Sequence, residues 1–272
     1  MEVEADIQGF FDHIDHDLLL AMLAERIDDR PFLSLIRRWL KAGILEPDGR
    51  MIQPEAGSPQ GGIVSPILAN RYWHTALDRW FEDTVKRHGR GAASLCRDAD
   101  DCVATFQYEQ DAQRIDAALG PRLGQFGLKL AAEKTRCLRF SRTDRKQSEA
   151  FEFLGFEFRW GRSRWRKPCL KKRTARRKYR AALAHIQEWL GKASRYPKRE
   201  LFARLAAKRR GYYPYSGVRG NDERLSDFDY QVQRLLFQAL HRRSQRTSYT
   251  WTGFAALWEH FHPPRPRICH VF

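Results

Sequence analysis

The 272-residue sequence has no apolar run approaching the roughly 18 residues that a membrane-spanning helix requires. Nor does it open with the basic-then-apolar pattern of a secretory signal. Cysteine is sparse: Cys96, Cys102, Cys137, Cys169 and Cys269 are scattered without a CxxC pair, and an odd number argues against a disulfide framework or a zinc knuckle. Internal repeats and low-complexity linkers are also lacking. These absences predict a cytoplasmic chain with reduced cysteines and no membrane partner.

With 42% hydrophobic and 12% aromatic residues, the chain can bury one large core or two modest ones, so a folded protein is expected. The formal net charge is +16, unevenly spread. Residues 159–272 carry 28 Lys/Arg against 7 Asp/Glu, whereas residues 1–158 carry 21 against 26. A surface this basic binds polyanions through counterion release, which makes nucleic acid the expected partner of the second half.

Periodicity predicts an α+β first half. A strand is expected over 2–7 and helices over 17–27 and 31–40, then a hairpin and loop over 43–60 and a long helix from about Ser65 to Arg87. Two short apolar runs, Ala92–Cys96 and Cys102–Phe106, flank Asp98-Ala99-Asp100-Asp101, the pattern of a tight hairpin with carboxylates at its turn. A helix over 110–126 and strands over 137–140, 151–158 and 163–167 follow. From Lys171 the pattern is helical, with breaks at Pro197, over 211–221 and near Thr247, and a Pro-rich tail. Charge and periodicity both change near 160–170, which predicts units 1–167 and 168–272.

Asp6 stands at the end of the first predicted strand, and Asp100 and Asp101 at the hairpin turn. Phosphoryl transfer asks little covalent chemistry of a protein but uses two divalent ions about 4 Å apart, held by hard oxygen ligands. Three aspartates converging from adjacent strands would supply them. An Asp-Asp pair alone equally suits an ordinary acidic turn.

The surrounding residues are more specific. Asp6-Ile7-Gln8-Gly9-Phe10-Phe11-Asp12-His13-Ile14-Asp15-His16 resembles the first palm motif of group II intron-encoded reverse transcriptases, and Gly57 through Asn70 resembles their next. Arg97-Asp98-Ala99-Asp100-Asp101 resembles the family's acidic hairpin. Gly127-Leu128-Lys129-Leu130 with Glu133-Lys134-Thr135 resembles the motif after it, and Phe153-Leu154-Gly155-Phe156 the primer-grip strands.

The resemblance implies a right-hand polymerase palm followed by an all-α thumb or maturase domain. It implies an RNA-directed DNA polymerase and splicing maturase of a mobile intron, with intron RNA, a template–primer duplex and deoxynucleotides as partners. Asp6, Asp100 and Asp101 would hold two Mg²⁺ ions. Phe11 would crowd a ribose 2′-hydroxyl, or else be a core aromatic beside Phe10. Gln60, with Gly61 allowing close backbone approach, would contact the incoming nucleotide. Lys134 would donate a proton to pyrophosphate, or be a surface lysine.

In the basic half, Lys208 through Val218 resembles the family's thumb, and 241–246 and 264–268 its carboxyl-terminal end. Lys171, Lys172, Arg173, Arg176, Arg177, Lys208, Arg209 and Arg210 are the expected RNA contacts, since a duplex is gripped through charge and shape. Tyr179, Trp189, Tyr196 and Phe202 are expected in the core rather than as stacking platforms.

Four departures from the family pattern matter. The chain begins at the first palm motif, without preceding fingers segments, and carries no carboxyl-terminal nuclease motif. Asp98 stands where the family has Tyr, adding a like charge beside Asp100 and Asp101. Gln8 stands where it usually has Lys. Two alternatives therefore stay open beside a working polymerase: a catalytically silent RNA-binding maturase fragment, and a reverse transcriptase of another bacterial lineage such as a retron or defence enzyme.

Overall fold

The computed structural model describes the whole chain except residues 43, 46–50, 53–55, 59–61, 132, 145–146, 194, 243–248 and 271–272, and gives only the backbone of 44, 45, 51 and 52. The chain divides into two compact units, Met1–Ser141 and Arg142–Phe272. The division precedes the change of charge, so the last strands pack with the basic helices.

In the first unit, β1 (Glu2–Ala5) is central in an antiparallel sheet ordered β4-β5-β1-β6, with β4 at Ala93–Asp98, β5 at Asp101–Phe106 and β6 at Arg136–Leu138. Having a strand on either side, β1 is buried at every position. That burial encloses Glu2 as well as Val3 and Ala5. Two short helices, α1 (His16–Ala24) and α2 (Arg30–Leu40), are each started by an aspartate cap. Leu18 N donates to Asp15 Oδ1 and Phe32 N to Asp29 Oδ1. β2 (Ile44–Leu45) and β3 (Met51–Ile52) form the expected hairpin.

The long helix runs from α3 (Ser65–Trp73) through two π-helical stretches, His74–Asp78 and Phe81–Val85, to α4 (Lys86–His88). α5 (Glu109–Gly124) lies against it: Tyr72 donates to the Phe126 carbonyl at 2.7 Å, and Arg122 to the carbonyls of Ala76 and Thr75. Leu19, Leu40, Tyr72, Trp73, Leu77 and Leu123, each at most 1% exposed, form the core between these helices and the sheet.

The second unit opens with an antiparallel meander, β7 (Phe151–Phe153), β8 (Phe156–Arg162) and β9 (Pro168–Thr174). Two sequence expectations are corrected here. The strand expected over 163–167 is the turn between β8 and β9, and Lys171–Arg173, expected in a helix, lie in β9. Each pairs with a β8 residue (Arg159↔Lys171, Phe158↔Lys172, Glu157↔Arg173), and this non-local ladder overrides the helical propensity of Lys and Arg. Helix α6 starts only at Arg176 (Arg176–Ala193).

The remaining helices are α7 (Lys198–Ser216), α8 (Asp222–His241) and α9 (Trp251–Phe261). α7 runs through Gly211 and Pro214, so the expected break shrinks to Gly217–Asn221. Asn221, 1% exposed, closes that break. Its side chain accepts from Thr174 N and donates to Thr174 Oγ1 and the Ser216 carbonyl, each at 2.8 Å. Tyr179, Trp189, Tyr196 and Phe202 all join the helical core, as expected.

Among the described residues, no helix is long and apolar enough to cross a membrane.

Candidate functional site

Asp6 follows the last paired residue of β1. Its strand partner there, Cys102, follows Asp101, because Ala5 pairs with Cys102. The first-strand aspartate and the hairpin carboxylates are thus brought to one edge of one sheet. The Asp6 carbonyl accepts from Ala131 N and Gln8 N donates to the Lys129 carbonyl, both at 2.9 Å, which lays the 127–130 segment alongside.

The hairpin turn itself is only Ala99–Asp100, with Asp98 and Asp101 directly opposite. Ala99 has φ 52, a left-handed conformation that favours glycine. Like charges facing across a strand pair repel. Partial burial, then Asp100, Asp6 and Asp98, push the Asp101 carboxyl above its ordinary value, with Lys134 opposing. Lys134 Nζ lies 2.5 Å from Asp6 Oδ2, and this contact raises the lysine above its ordinary value.

Sequence reasoning missed what anchors the hairpin. Arg97 makes a two-pronged pair with Asp78, at 3.0 and 2.9 Å, and donates to Asn70 Oδ1 at 2.7 Å. Asp78 closes the first π-helical stretch of the long helix, and such stretches often accompany functional sites. The motif with Asn70 and the arginine opening the acidic hairpin were both visible, but no local pattern joins residues 70, 78 and 97.

A cavity of about 370 Å³ adjoins the hairpin, lined by Phe11, Pro66, Asn70, Arg97, Asp98 and Ala99 among others. Phe11 borders it while contacting Phe10 edge-on at 5.5 Å between ring centroids, so its two expected roles are compatible. The segment before Gln60 is tied to the same place. Ser58 N donates to the Phe11 carbonyl at 2.7 Å, Gly57 N to that of Ile14 at 2.8 Å, and His16 Nε2 to that of Gly57 at 2.6 Å. Gly57 has φ 94, and a Cβ there would stand 2.8 Å from the Phe11 oxygen, so only glycine fits. Gln60 and Gly61 lie outside the described residues, as do Arg243–Arg246.

No three His, Cys, Asp or Glu side chains among the described residues are grouped tightly enough to hold one metal ion. The donor set nonetheless fits a divalent cation in kind: hard carboxylate oxygens whose mutual repulsion a cation relieves. In this structure Lys134 supplies positive charge to Asp6.

In the second unit, Lys171, Arg176, Arg177 and Arg210 are exposed, while Lys172 and Lys208 are half-buried, Lys208 over the Trp189 ring. Arg176 and Arg177 open α6 with no acidic residue in its first turn, the arrangement a helix dipole disfavours unless an anion is near. Arg173 is held by Glu157 at 2.9 Å. Arg209 must be removed from the expected RNA contacts. It is 1% exposed, ion-paired with Asp229, bonded to Tyr213 and stacked on Trp258, and so is a core residue.

Residues 1–158 match the sequence profile described as reverse transcriptase (RNA-dependent DNA polymerase). The group II intron-encoded protein LtrA of Lactococcus lactis subsp. cremoris is 47% identical over 78 residues, 29% of this chain and 13% of that protein. Protein YkfC of Escherichia coli K12 is 28% identical over 191 residues, 60% of this chain and 48% of that one. The matched stretches thus span 13% and 48% of the length of these two curated relatives. Apo telomerase from Candida tropicalis shares the fold at a TM-score of 0.50 and 12% identity, over 95% of this chain and 48% of that one. The resemblance to intron-encoded proteins and the α+β polymerase fold are both borne out by these likenesses, and family membership points in general to dependence on a divalent metal. More than half of its length matches one family, and the chain belongs to the reverse transcriptases.

Proposed function

We propose that this chain is the RNA-directed DNA polymerase palm, with thumb and maturase helices, of a group II intron-encoded protein. The observation that carries the reading is the meeting of Asp6 with the Asp98–Asp101 hairpin beside the Phe11 cavity. A primer 3′-hydroxyl would attack the α-phosphorus of a deoxynucleoside triphosphate, forming a P–O bond as pyrophosphate leaves. Two Mg²⁺ ions held by Asp6, Asp100 and Asp101 would activate the hydroxyl and neutralise the leaving charge.

The other residues orient and select. Phe11 closes the space a ribose 2′-hydroxyl needs, and Gln60 and Gly61, by the family resemblance, would contact the nucleotide. Lys134 leaves Asp6 to donate its Nζ proton to pyrophosphate. In the second unit Lys171, Lys172, Arg176, Arg177, Lys208 and Arg210 hold RNA phosphates, including those of intron RNA.

RNA-templated primer extension tests the reading. It should require Mg²⁺ and stop in Asp101→Asn, and Phe11→Val should admit ribonucleotides. Extension that persists in a chelator would contradict it.

One observation favours a second reading, an RNA-binding splicing maturase without polymerase activity. Asp6 is engaged by Lys134, and Asp98 adds a further like charge at the turn. On that reading RNA binding survives Asp101→Asn and extension is absent throughout.

A further inference from the structure

The second unit contains an open groove of about 840 Å³ between the β8–β9 hairpin and the start of α8. Its walls differ in charge. Arg159, Arg162, Arg164, Lys171, Lys172 and Arg219 line one part, and Asp222, Glu223 and Asp227 of α8 another, with Arg224 between them engaged over the Tyr179 ring. Asp227 is engaged by the Tyr179 hydroxyl at 2.5 Å. Asp222 and Glu223 are exposed in the first turn of α8, and no ion pair joins them to the basic wall among the described residues.

Within the basic wall, Arg159 and Lys171 stand directly opposite in the strand register. Two cations facing each other across a ladder destabilise it. Two pairs along, on the same face of the ladder, Glu157 neutralises Arg173. Among the described residues no carboxylate is paired with Arg159 or Lys171, and an anion would relieve them. At the tip of the same hairpin, Trp165 is 68% exposed with the Arg164 guanidinium 4.1 Å from its ring centroid, a flat pair of the kind on which bases stack.

We propose that this groove binds a single-stranded segment of RNA. Its phosphates lie along Arg159, Arg162 and Lys171. Its base edges face Asp222 and Glu223, whose carboxylates accept from exocyclic amino groups. One base stacks at Trp165. An A-form duplex presents phosphates along both edges, pairs its Watson–Crick edges and keeps its major groove too deep and narrow for side chains, so the acidic wall disfavours it. This inference rests on the reading of the chain as an RNA-handling reverse transcriptase, and it adds the form of RNA recognised.

The test is fluorescence anisotropy with the full chain and two labelled RNAs of equal length, one single-stranded and one a blunt duplex, titrated with salt. Single-strand binding should depend on the groove and duplex binding should not. Arg159→Ala with Lys171→Ala should weaken single-strand binding about tenfold and reduce the salt slope by about 1.4, the share of two phosphate contacts on a single strand. Asp222→Asn with Glu223→Gln should strengthen duplex binding more than single-strand binding. Thermal melting of each variant establishes that it is folded. A folded double-alanine variant with unchanged single-strand affinity and slope, or one that loses as much affinity for the duplex as for the single strand, would overturn the proposal. Asp100→Ala separates the two claims, because it should abolish primer extension without changing single-strand affinity.

Discussion

Arg209 is the basic residue that counting charges misplaces. In the sequence it sits among Lys208 and Arg210, and nothing local distinguishes it. In the fold its side chain points into the helical core, where Asp229, Tyr213 and Trp258 surround it. Removing one partner of a buried pair leaves the other unpaired, so Arg209→Ala should lower stability by about 3–5 kcal/mol in urea unfolding. Arg209→Lys should recover only part, since an ammonium cannot reproduce the planar contacts. RNA affinity per folded molecule should not move. Glu2 offers a second test. It is fully buried on β1, its two carboxylate oxygens lack a partner among the described residues, and burial followed by the charge of Glu4 pushes its pKa from 4.5 up to about 9. The folded state keeps a proton that the unfolded state releases above pH 4.5, so this residue's contribution to stability falls as pH rises from 4.5 to about 9. Glu2→Gln should remove that slope. Its unfolding midpoint should gain on the parent protein's as pH increases through this window, and a constant difference would contradict the assignment.

The acidic hairpin was the most legible element, because two apolar runs and a turn signal fit only one local structure. Its observed limits, Ala93–Asp98 and Asp101–Phe106, differ from expectation by a residue or two. Ala99 carries the turn at φ 52, and Ala99→Gly should stabilise the protein by about 1 kcal/mol, the usual cost of a left-handed conformation for a side-chain-bearing residue. A loss of primer extension accompanying that gain would mark the strain as functional. β9 was the least legible element. Lys171-Lys172-Arg173 favours a helix locally, and its strand depends on pairing with β8, which no short window of sequence reveals. The long α7 was hidden for a related reason. Gly211 and Pro214 signal a break, yet the helix continues, with Tyr213 and Ser216 buried near its end. Asn221 ends the break that remains, and Asn221→Ala should cost about 2–3 kcal/mol by leaving buried backbone groups of Thr174 and Ser216 unpaired.

At the scale of the molecule, the candidate residues were nameable from the sequence because their motifs are contiguous and ordered along the chain. They could not locate the groups that hold it: Arg97 with Asp78 and Asn70, His16 with Gly57, and Lys134 with Asp6 are pairs separated by 19 to 128 residues. The charge asymmetry identified the basic half, but only the fold separates Lys171, exposed on β9, from Arg209, enclosed in the core. On the proposed function, Asp6, Asp100 and Asp101 form a metal-dependent polymerising site that tolerates Asp98. Primer extension on an RNA template with Mg²⁺, comparing the chain with Asp98→Tyr and Asp100→Ala, tests it most directly. The parent chain and Asp98→Tyr should extend the primer, and Asp100→Ala should not. Extension by Asp100→Ala, or silence in all three while salt-sensitive RNA binding persists, would contradict that reading.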